Sequence, residues 1–316
     1  MKKEDLRIVF MGTPEFAVES LKALVENNYN VVGIITSPDK PAGRGMQFQS
    51  SAVKKYALSQ NLLVLQPEKL KNEVFLSELE KLQADIQIVV AFRMLPEVVW
   101  DMPPKGTFNL HASLLPQYRG SAPINWSIIN GEKQTGVTTF FLTHEIDTGE
   151  IIFQEKIEIL DTDNAETVHD KLMFLGADLV LKTIDAVIDG AIKSRPQSGF
   201  ISNENELKPA PKLFKENCKI DWEKSGEEIR NFVRGLSPYP AAWTEFEVNG
   251  ELLNFKVFET KFIPETHNFP IGEFTTYNKT TLRVSVKDGF IEITDIQLSG
   301  KKRMKIKDFL NGFSFR

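Results

Sequence analysis

The feature that most constrains this chain is an alternation in its first 140 or so residues, where short apolar, β-branched runs are separated by segments of helical period. Residues 6–11 form an apolar run broken only by Arg7, the pattern of a strand covered on both faces. Gly12, Thr13 and Pro14 then supply a turn residue, a capping hydroxyl and a proline suited to a first helical turn, so a helix is expected from residue 15 to about residue 26. Asn27, Asn28 and Asn30 interrupt it, and residues 31–36 return to a β-branched run. A strand, a helix and a strand in succession make one crossover unit, and such a connection joins parallel strands. The same reading predicts helices near residues 51–60, 72–82 and 122–130, and strands at 62–65, 85–92, 107–110 and 136–142. A mostly parallel sheet with helices on both faces buries all of these runs, so the expected class is α/β and Rossmann-like. A dinucleotide site is not expected, because Gly12 stands alone where phosphate cradling needs glycines at G-x-G-x-x-G spacing.

The second half of the chain changes character. After a helix over 167–189, residues 195–212 carry Pro196, Pro209 and Pro211 with mixed charge and no apolar period, and are read as a linker. A short helix follows at 227–236. Residues 243–248 and 252–258 flank Asn249-Gly250, the strongest hairpin signal in the chain, and a second hairpin is expected at Lys287-Asp288-Gly289. Short strands are expected to continue to Lys307, giving a small antiparallel β-barrel of the oligonucleotide-binding kind. The length of 316 residues suits two domains, placed at 1–206, ending in the linker, and 207–316.

Composition narrows the functional classes. Hydrophobic residues make up 41% and charged residues 26%, which is too apolar for a disordered chain. No apolar run approaches the ~20 residues that span a bilayer, and the Met-Lys-Lys-Glu-Asp opening has no apolar signal core. Cys218 is the only cysteine, so an intrachain disulfide and a cysteine-based metal cluster are excluded; a cytoplasmic protein with no membrane contact is expected. The net charge is −5, yet residues 301–316 carry Lys301, Lys302, Arg303, Lys305, Lys307 and Arg316 against Asp308 alone. Such a tail suits attraction to a polyanion, and equally a lysine-protected edge strand.

Chemistry concentrates in Asn109-Leu110-His111-Ala112-Ser113-Leu114-Leu115-Pro116-Gln117-Tyr118-Arg119-Gly120. On a strand, Asn109 and His111 share a face, and they fall at the carboxyl end where open α/β sheets hold ligands. The amide of Asn109 can donate to a developing oxyanion and an imidazole can move a proton near neutral pH. A structural histidine capping a loop fits the same residues. Glu145-Ile146-Asp147-Thr148-Gly149 reads alone as a tight turn; beside His111, Asp147 would complete an acid-base pair.

Together, Asn109-Leu110-His111, Ser113-Leu114-Leu115-Pro116, Tyr118-Arg119-Gly120 and Asp147-Thr148-Gly149 resemble the folate-dependent formyltransferases that use 10-formyltetrahydrofolate. Phe10-Met11-Gly12-Thr13-Pro14-Glu15-Phe16, Pro38-Asp39-Lys40-Pro41-Ala42-Gly43-Arg44-Gly45 and Val233-Arg234-Gly235-Leu236-Ser237-Pro238-Tyr239-Pro240-Ala241 resemble the branch of that family acting on initiator methionyl-tRNA in translation initiation. The resemblance covers nearly the whole chain. It implies catalytic roles for Asn109, His111 and Asp147, and folate contact by Ser113, Leu114, Leu115 and Pro116. With the folate implied, Phe92, Met94 and Leu95 become candidates for the wall of an apolar pterin slot. It further implies tRNA contact by Lys40 and Arg44, and by Lys301, Lys302 and Arg303 in the basic tail, with no metal; a monomer is expected. The sequence departs from the family pattern at Met46-Gln47-Phe48-Gln49, where a lysine-rich continuation is common, and at Gln117 and Glu145. Two other readings share these motifs: a formyltransferase acting on a small amine such as an amino sugar nucleotide, and a tRNA-binding relative without activity.

Overall fold

The structure, a computed structural model, describes residues 2–42, 47–201, 203–278 and 280–313. The elements of the first half are β1 (Ile8–Gly12), α1 (Glu15–Glu26), β2 (Val31–Ile35), β3 (Lys40–Ala42), β4 (Gln47–Gln49), α2 (Ala52–Ser59), β5 (Val64–Leu65), α3 (Glu73–Lys81), β6 (Ile86–Val90), α4 (Glu97–Trp100), β7 (Thr107–His111), α5 (Pro123–Ile129), β8 (Gln134–Phe141), β9 (Ile151–Glu158) and α6 (Ala165–Ile188). The second half adds α7 (Gly226–Leu236), β10 (Ala242–Val248), β11 (Glu251–Pro264), β12 (Phe274–Tyr277), β13 (Thr281–Val286), β14 (Gly289–Leu298), β15 (Met304–Lys305) and α8 (Ile306–Gly312). These elements sort into two compact units. The first holds Met1–Arg119, Thr135–Ile157 and His169–Lys208, and the second Gly120–Gln134, Glu158–Val168 and Pro209–Arg316.

In the first unit a seven-stranded sheet runs in the order β5, β2, β1, β6, β7, β8, β9. The pairs from β5 to β7 are parallel, as the crossover pattern requires. All five residues of β1 and all five of β6 are buried, so both faces of the sheet's centre are covered, which is why those runs do not alternate. The strand expected near 136–142 is present as β8, but it lies antiparallel to β7, with Asn109 opposite Phe140 and His111 opposite Thr138. Of the local signals, the Asn72 carboxamide caps α3 by accepting from the amides of Val74 and Phe75 at 3.0 and 3.2 Å. Thr13 does not cap α1, where Pro14 holds the N-cap position; its hydroxyl lies 3.1 Å from that of Ser37 beyond β2. The short hairpin of β3 and β4, the single turn α4 and the strand β9 are elements the sequence reading did not include.

The second unit is built on an antiparallel sheet ordered β10, β11, β14, β13, β12, with β15 added to β14, forming a half-barrel. The β10–β11 turn places Asn249 and Gly250 at φ of 54° and 80°, both in the left-handed region, as the Asn-Gly signal demands. Phe246, Phe255, Val257, Ile291 and Ile293 fill its core with Ile229 and Val233 of α7 and Phe309 of α8. The helix α7 opens on a reciprocal cap, Ser225 accepting from the Glu228 amide while the Glu228 carboxylate accepts from Ser225. That bonding to Ser225 holds the Glu228 carboxyl below the usual carboxylate range. Its last turn packs on α5: a Cβ on Gly235 would lie 2.7 Å from Ile129 Cγ1 and 3.0 Å from the Ile129 nitrogen, so only glycine permits this approach. Arg234 is buried, donating to the carbonyls of Leu160 and Asp163 and to Asn231 Oδ1 at 2.8–3.0 Å. The expected strand over the basic tail is limited to β15. Residues 306–312 are helical because Ile306 and Phe309, three apart, bury on one face. Cys218 is fully buried, its thiol pushed up by that burial, consistent with a packing role.

Candidate active site

Asn109 and His111 leave the same face of β7 at its carboxyl end, two residues and hence about 7 Å apart along the strand. His111 is 6% exposed, and its Nε2 lies 2.8 Å from the carbonyl oxygen of Tyr118. A carbonyl can only accept, so Nε2 carries the hydrogen and, in the neutral ring, the lone pair is on Nδ1. That nitrogen faces Asp147 Oδ2 at 3.9 Å. The separation is beyond a direct hydrogen bond but within the span one shared polar group bridges. Phe140 presents its ring nearly perpendicular to the imidazole, with centroids 6.4 Å apart, and limits its rotation from the side. Asn109 is partly buried and its carboxamide has no hydrogen-bond partner among the described residues, leaving two donors for an incoming group.

Asp147 is carried by the loop between β8 and β9. Its φ is 56°, left-handed for a residue that is not glycine. Two residues on, a Cβ at Gly149 would sit 1.6 Å from the Phe141 carbonyl oxygen, so the loop returns over the end of β8 with no room for a side chain. Asp147 can therefore approach His111 only because Gly149 lets the chain fold tightly back.

The segment 113–116 is largely self-satisfied. The Ser113 hydroxyl donates to the Gln117 carbonyl at 2.7 Å, and the Ser113 carbonyl accepts from Thr138 Oγ1 at 2.6 Å. Leu115 donates its amide to the same Thr138 hydroxyl at 3.2 Å, while its carbonyl accepts from Gln154 Nε2 at 2.7 Å. Ser113, Leu115 and Pro116 are buried and Leu114 partly so. Of the other candidates for an apolar slot, Met94 is 73% exposed and Phe92 half-buried beyond β6, whereas Leu95 is a core residue packed with Val9, Met11 and Val89. Between them Arg93 donates to the carbonyls of Pro67 and Glu68, and burial lowers its pKa from the ordinary arginine value.

The candidate nucleic-acid contacts lie elsewhere. Lys40 is exposed on β3, and Arg44 falls outside the described residues. The hairpin bearing Lys40 is anchored at its base by Asp39, which accepts from Lys54 Nζ at 2.6 Å and from Gln66 Nε2 at 2.9 Å. The bond from Lys54, then that from Gln66, holds the Asp39 carboxyl below the usual carboxylate range. In the second unit Lys301 and Lys302 are exposed. Arg303 is engaged: its Nε and Nη2 donate to the two oxygens of Asp295 at 2.9 and 3.0 Å, and the guanidinium lies 4.2 Å from the Phe258 ring centre. His144, given no role from sequence, is exposed and 3.4 Å from Glu97.

Sequence reasoning missed Gln197, which lies inside the stretch read as linker and is 3% exposed. It bonds to the Asp147 and Gly149 carbonyls and to Arg119. No local sequence signal marks it, because its partners are two loop carbonyls and an arginine 78 positions away.

Comparison with known proteins places this geometry in context. The sequence family described as formyl transferase matches residues 6–184, and its C-terminal domain family matches residues 212–314. The methionyl-tRNA formyltransferase of Parabacteroides distasonis is 63% identical, covering 99% of this chain and 97% of that protein. That of Bacteroides fragilis is 60% identical with the same coverage of 99% and 97%. Among solved structures, an N-formyltransferase from Helicobacter canadensis, in complex with folinic acid and dTDP-3-aminofucose, superposes with a TM-score of 0.68 at 22% identity, covering 95% of this chain and 100% of that one. WlaRD, a sugar 3N-formyl transferase solved with dTDP and 5-N-formyl-THF, gives a TM-score of 0.67 at 22% identity, covering 94% and 99%. At that identity the two structures share the fold.

Proposed function

This chain belongs to the formyl transferase family, carrying both its N-terminal and C-terminal domains, and from that premise we propose that it formylates the α-amine of initiator methionyl-tRNA with 10-formyltetrahydrofolate as donor. The observation that carries the choice of acceptor is the 63% identity to a methionyl-tRNA formyltransferase along 99% of the chain. The reaction moves a formyl group from N10 of the folate to the amine: a new C–N bond forms as the carbonyl electron pair shifts to oxygen, and that pair returns as the bond to N10 breaks. The amine proton ends on N10.

The residues of the site match those needs. The free amide donors of Asn109 serve the formyl oxygen as it gains charge, and a preorganised donor lowers the barrier because it need not reorient. The Nδ1 lone pair of His111, fixed by the bond from Nε2 to Tyr118, takes the proton from the attacking amine; Asp147, 3.9 Å away, stabilises the resulting imidazolium and orders the path by which the proton passes on. Exposed Met94 and half-buried Phe92 provide apolar cover for a pterin ring, and the segment 113–116 supplies a rigid edge beside it. Lys40 and Arg44, with Lys301 and Lys302, contact tRNA phosphates. The protein acts as a cytoplasmic monomer. Among the described residues no helix is long and apolar enough to cross a membrane.

The deciding assay supplies the purified protein with 10-formyltetrahydrofolate and initiator methionyl-tRNA and measures formyl-methionine by mass after mild deacylation. Formylation that disappears with free methionine or uncharged tRNA is the expected result. Product only from an amino sugar nucleotide would replace the acceptor, and tRNA binding without folate turnover would remove the activity.

A further inference from the structure

We propose that Gln197, held by Arg119, is a positioning residue that sets Asp147 against His111, a role that rests on the formyl-transfer reading above. The distance between His111 Nδ1 and Asp147 Oδ2 is 3.9 Å, too long for a direct bond between them to fix the spacing. The scaffold around the pair must do so, and the buried amide of Gln197 joins its two halves. Gln197 Nε2 donates to the carbonyls of Asp147 at 2.8 Å and Gly149 at 2.9 Å. Gln197 Oε1 accepts from Arg119 Nε at 3.0 Å and Nη2 at 2.6 Å. Arg119 directly follows Tyr118, whose carbonyl takes the His111 Nε2 hydrogen at 2.8 Å. The chain of bonds therefore runs from the ring of His111, through two adjacent residues and one amide, to the backbone that carries Asp147.

The chemistry of each partner dictates the residue type. Both loop carbonyls only accept and the guanidinium only donates, so the amide has one orientation, with its NH2 toward the loop and its oxygen toward Arg119. Glutamate would pair better with Arg119 but would turn an oxygen toward two carbonyls with nothing to donate. Asparagine falls about 1.5 Å short of spanning both sides. Gln197 is itself anchored, because Arg195 exchanges two backbone hydrogen bonds of 2.9 Å with Ile151 at the start of β9. The carbonyl bonds fall on both sides of Thr148, in the turn where Asp147 holds its left-handed φ of 56°.

The test is a double-mutant cycle with a readout independent of turnover. Gln197→Leu is expected to lower kcat by roughly 10- to 100-fold, the scale of an ångström-sized misplacement, with KM for both substrates within about threefold. In an Asp147→Asn background the same substitution is expected to change kcat by less than about twofold, since its effect passes through the carboxylate. Arg119→Lys, which keeps the charge but loses the paired grip on the amide oxygen, should follow the same pattern and serves if Gln197→Leu does not fold. In the ligand-free protein, the ring-nitrogen NMR signals of His111 should move in Gln197→Leu relative to the parent. An equal loss of kcat in both backgrounds, or unmoved His111 signals, overturns the proposal. If the parent transfers no formyl group the reading of function fails by itself, and the His111 signals still decide the positioning role.

Discussion

His111 offers its chemistry at one ring nitrogen. Nε2 is committed to the Tyr118 carbonyl, so Nδ1, 3.9 Å from Asp147, is the nitrogen that the proposed reaction would use to move a proton. Removing either partner by His111→Ala or Asp147→Ala should lower kcat by at least ~100-fold, as should loss of the oxyanion donor in Asn109→Ala. Single-turnover kinetics with saturating folate and methionyl-tRNA separates these losses from binding, and near-normal turnover in any of the three would remove that residue from the machinery. The pair Asn109 and His111 was legible in the sequence because strand alternation alone puts residues two apart on one face. Gln197 was not, since its partners are two backbone carbonyls and an arginine 78 positions away, and no local pattern encodes that.

Among the elements, β7 and the loop after β8 do most to build the site. β7 was expected as a strand at 107–110. Its neighbour β8 was expected to extend the crossover pattern of parallel strands but lies antiparallel, because a run's composition is the same read either way and does not fix its direction. The loop depends on Gly149. In Gly149→Ala the new methyl group has the Phe141 carbonyl in its place, so the backbone must shift and carry Asp147 with it. The expected cost is roughly 1–3 kcal/mol of stability, as for other overpacked sites, together with a fall in kcat of tenfold or more. Calorimetry and steady-state kinetics on the same preparation check both, and full activity with an unchanged first thermal transition would show that the loop tolerates the methyl. The basic tail gives the opposite lesson about elements. Its lysines suited an edge strand, yet Ile306 and Phe309 at helical spacing turned residues 306–312 into α8.

For the whole molecule, the charge on the tail divides by what each cation already holds. Lys301 and Lys302 are exposed, so replacing both by alanine should weaken tRNA binding and reduce the slope of log affinity against log salt by roughly one to two. Arg303 is paired with Asp295, whose side chain is only 7% exposed, and this pairing raises the arginine pKa above its ordinary value. Arg303→Ala should therefore act mainly on stability, by about 1 kcal/mol given the arginine's partial exposure and the second bond to Asp295 from Lys305, and leave the salt slope near the parent value. Fluorescence-detected binding over a salt series, beside thermal melts of both variants, distinguishes the two roles. A salt slope changed only by Arg303→Ala would mean that this ion pair opens to the tRNA.

The sequence by itself determined what short-range physics controls. The apolar runs and helical periods of the first 140 or so residues specified a mostly parallel sheet, Asn249-Gly250 specified its hairpin, and the motifs from Asn109 to Gly149 specified the family and its reaction. Tertiary structure alone decided the 3.9 Å gap between His111 and Asp147, the single free nitrogen of that histidine, the burial of Gln197 and the capture of Arg303 by Asp295. The gap to Asp147 and the burial of Gln197 are fixed by groups far apart in the chain, and the other two by partners seven or eight residues away that no periodicity pairs, often through backbone atoms that every residue shares.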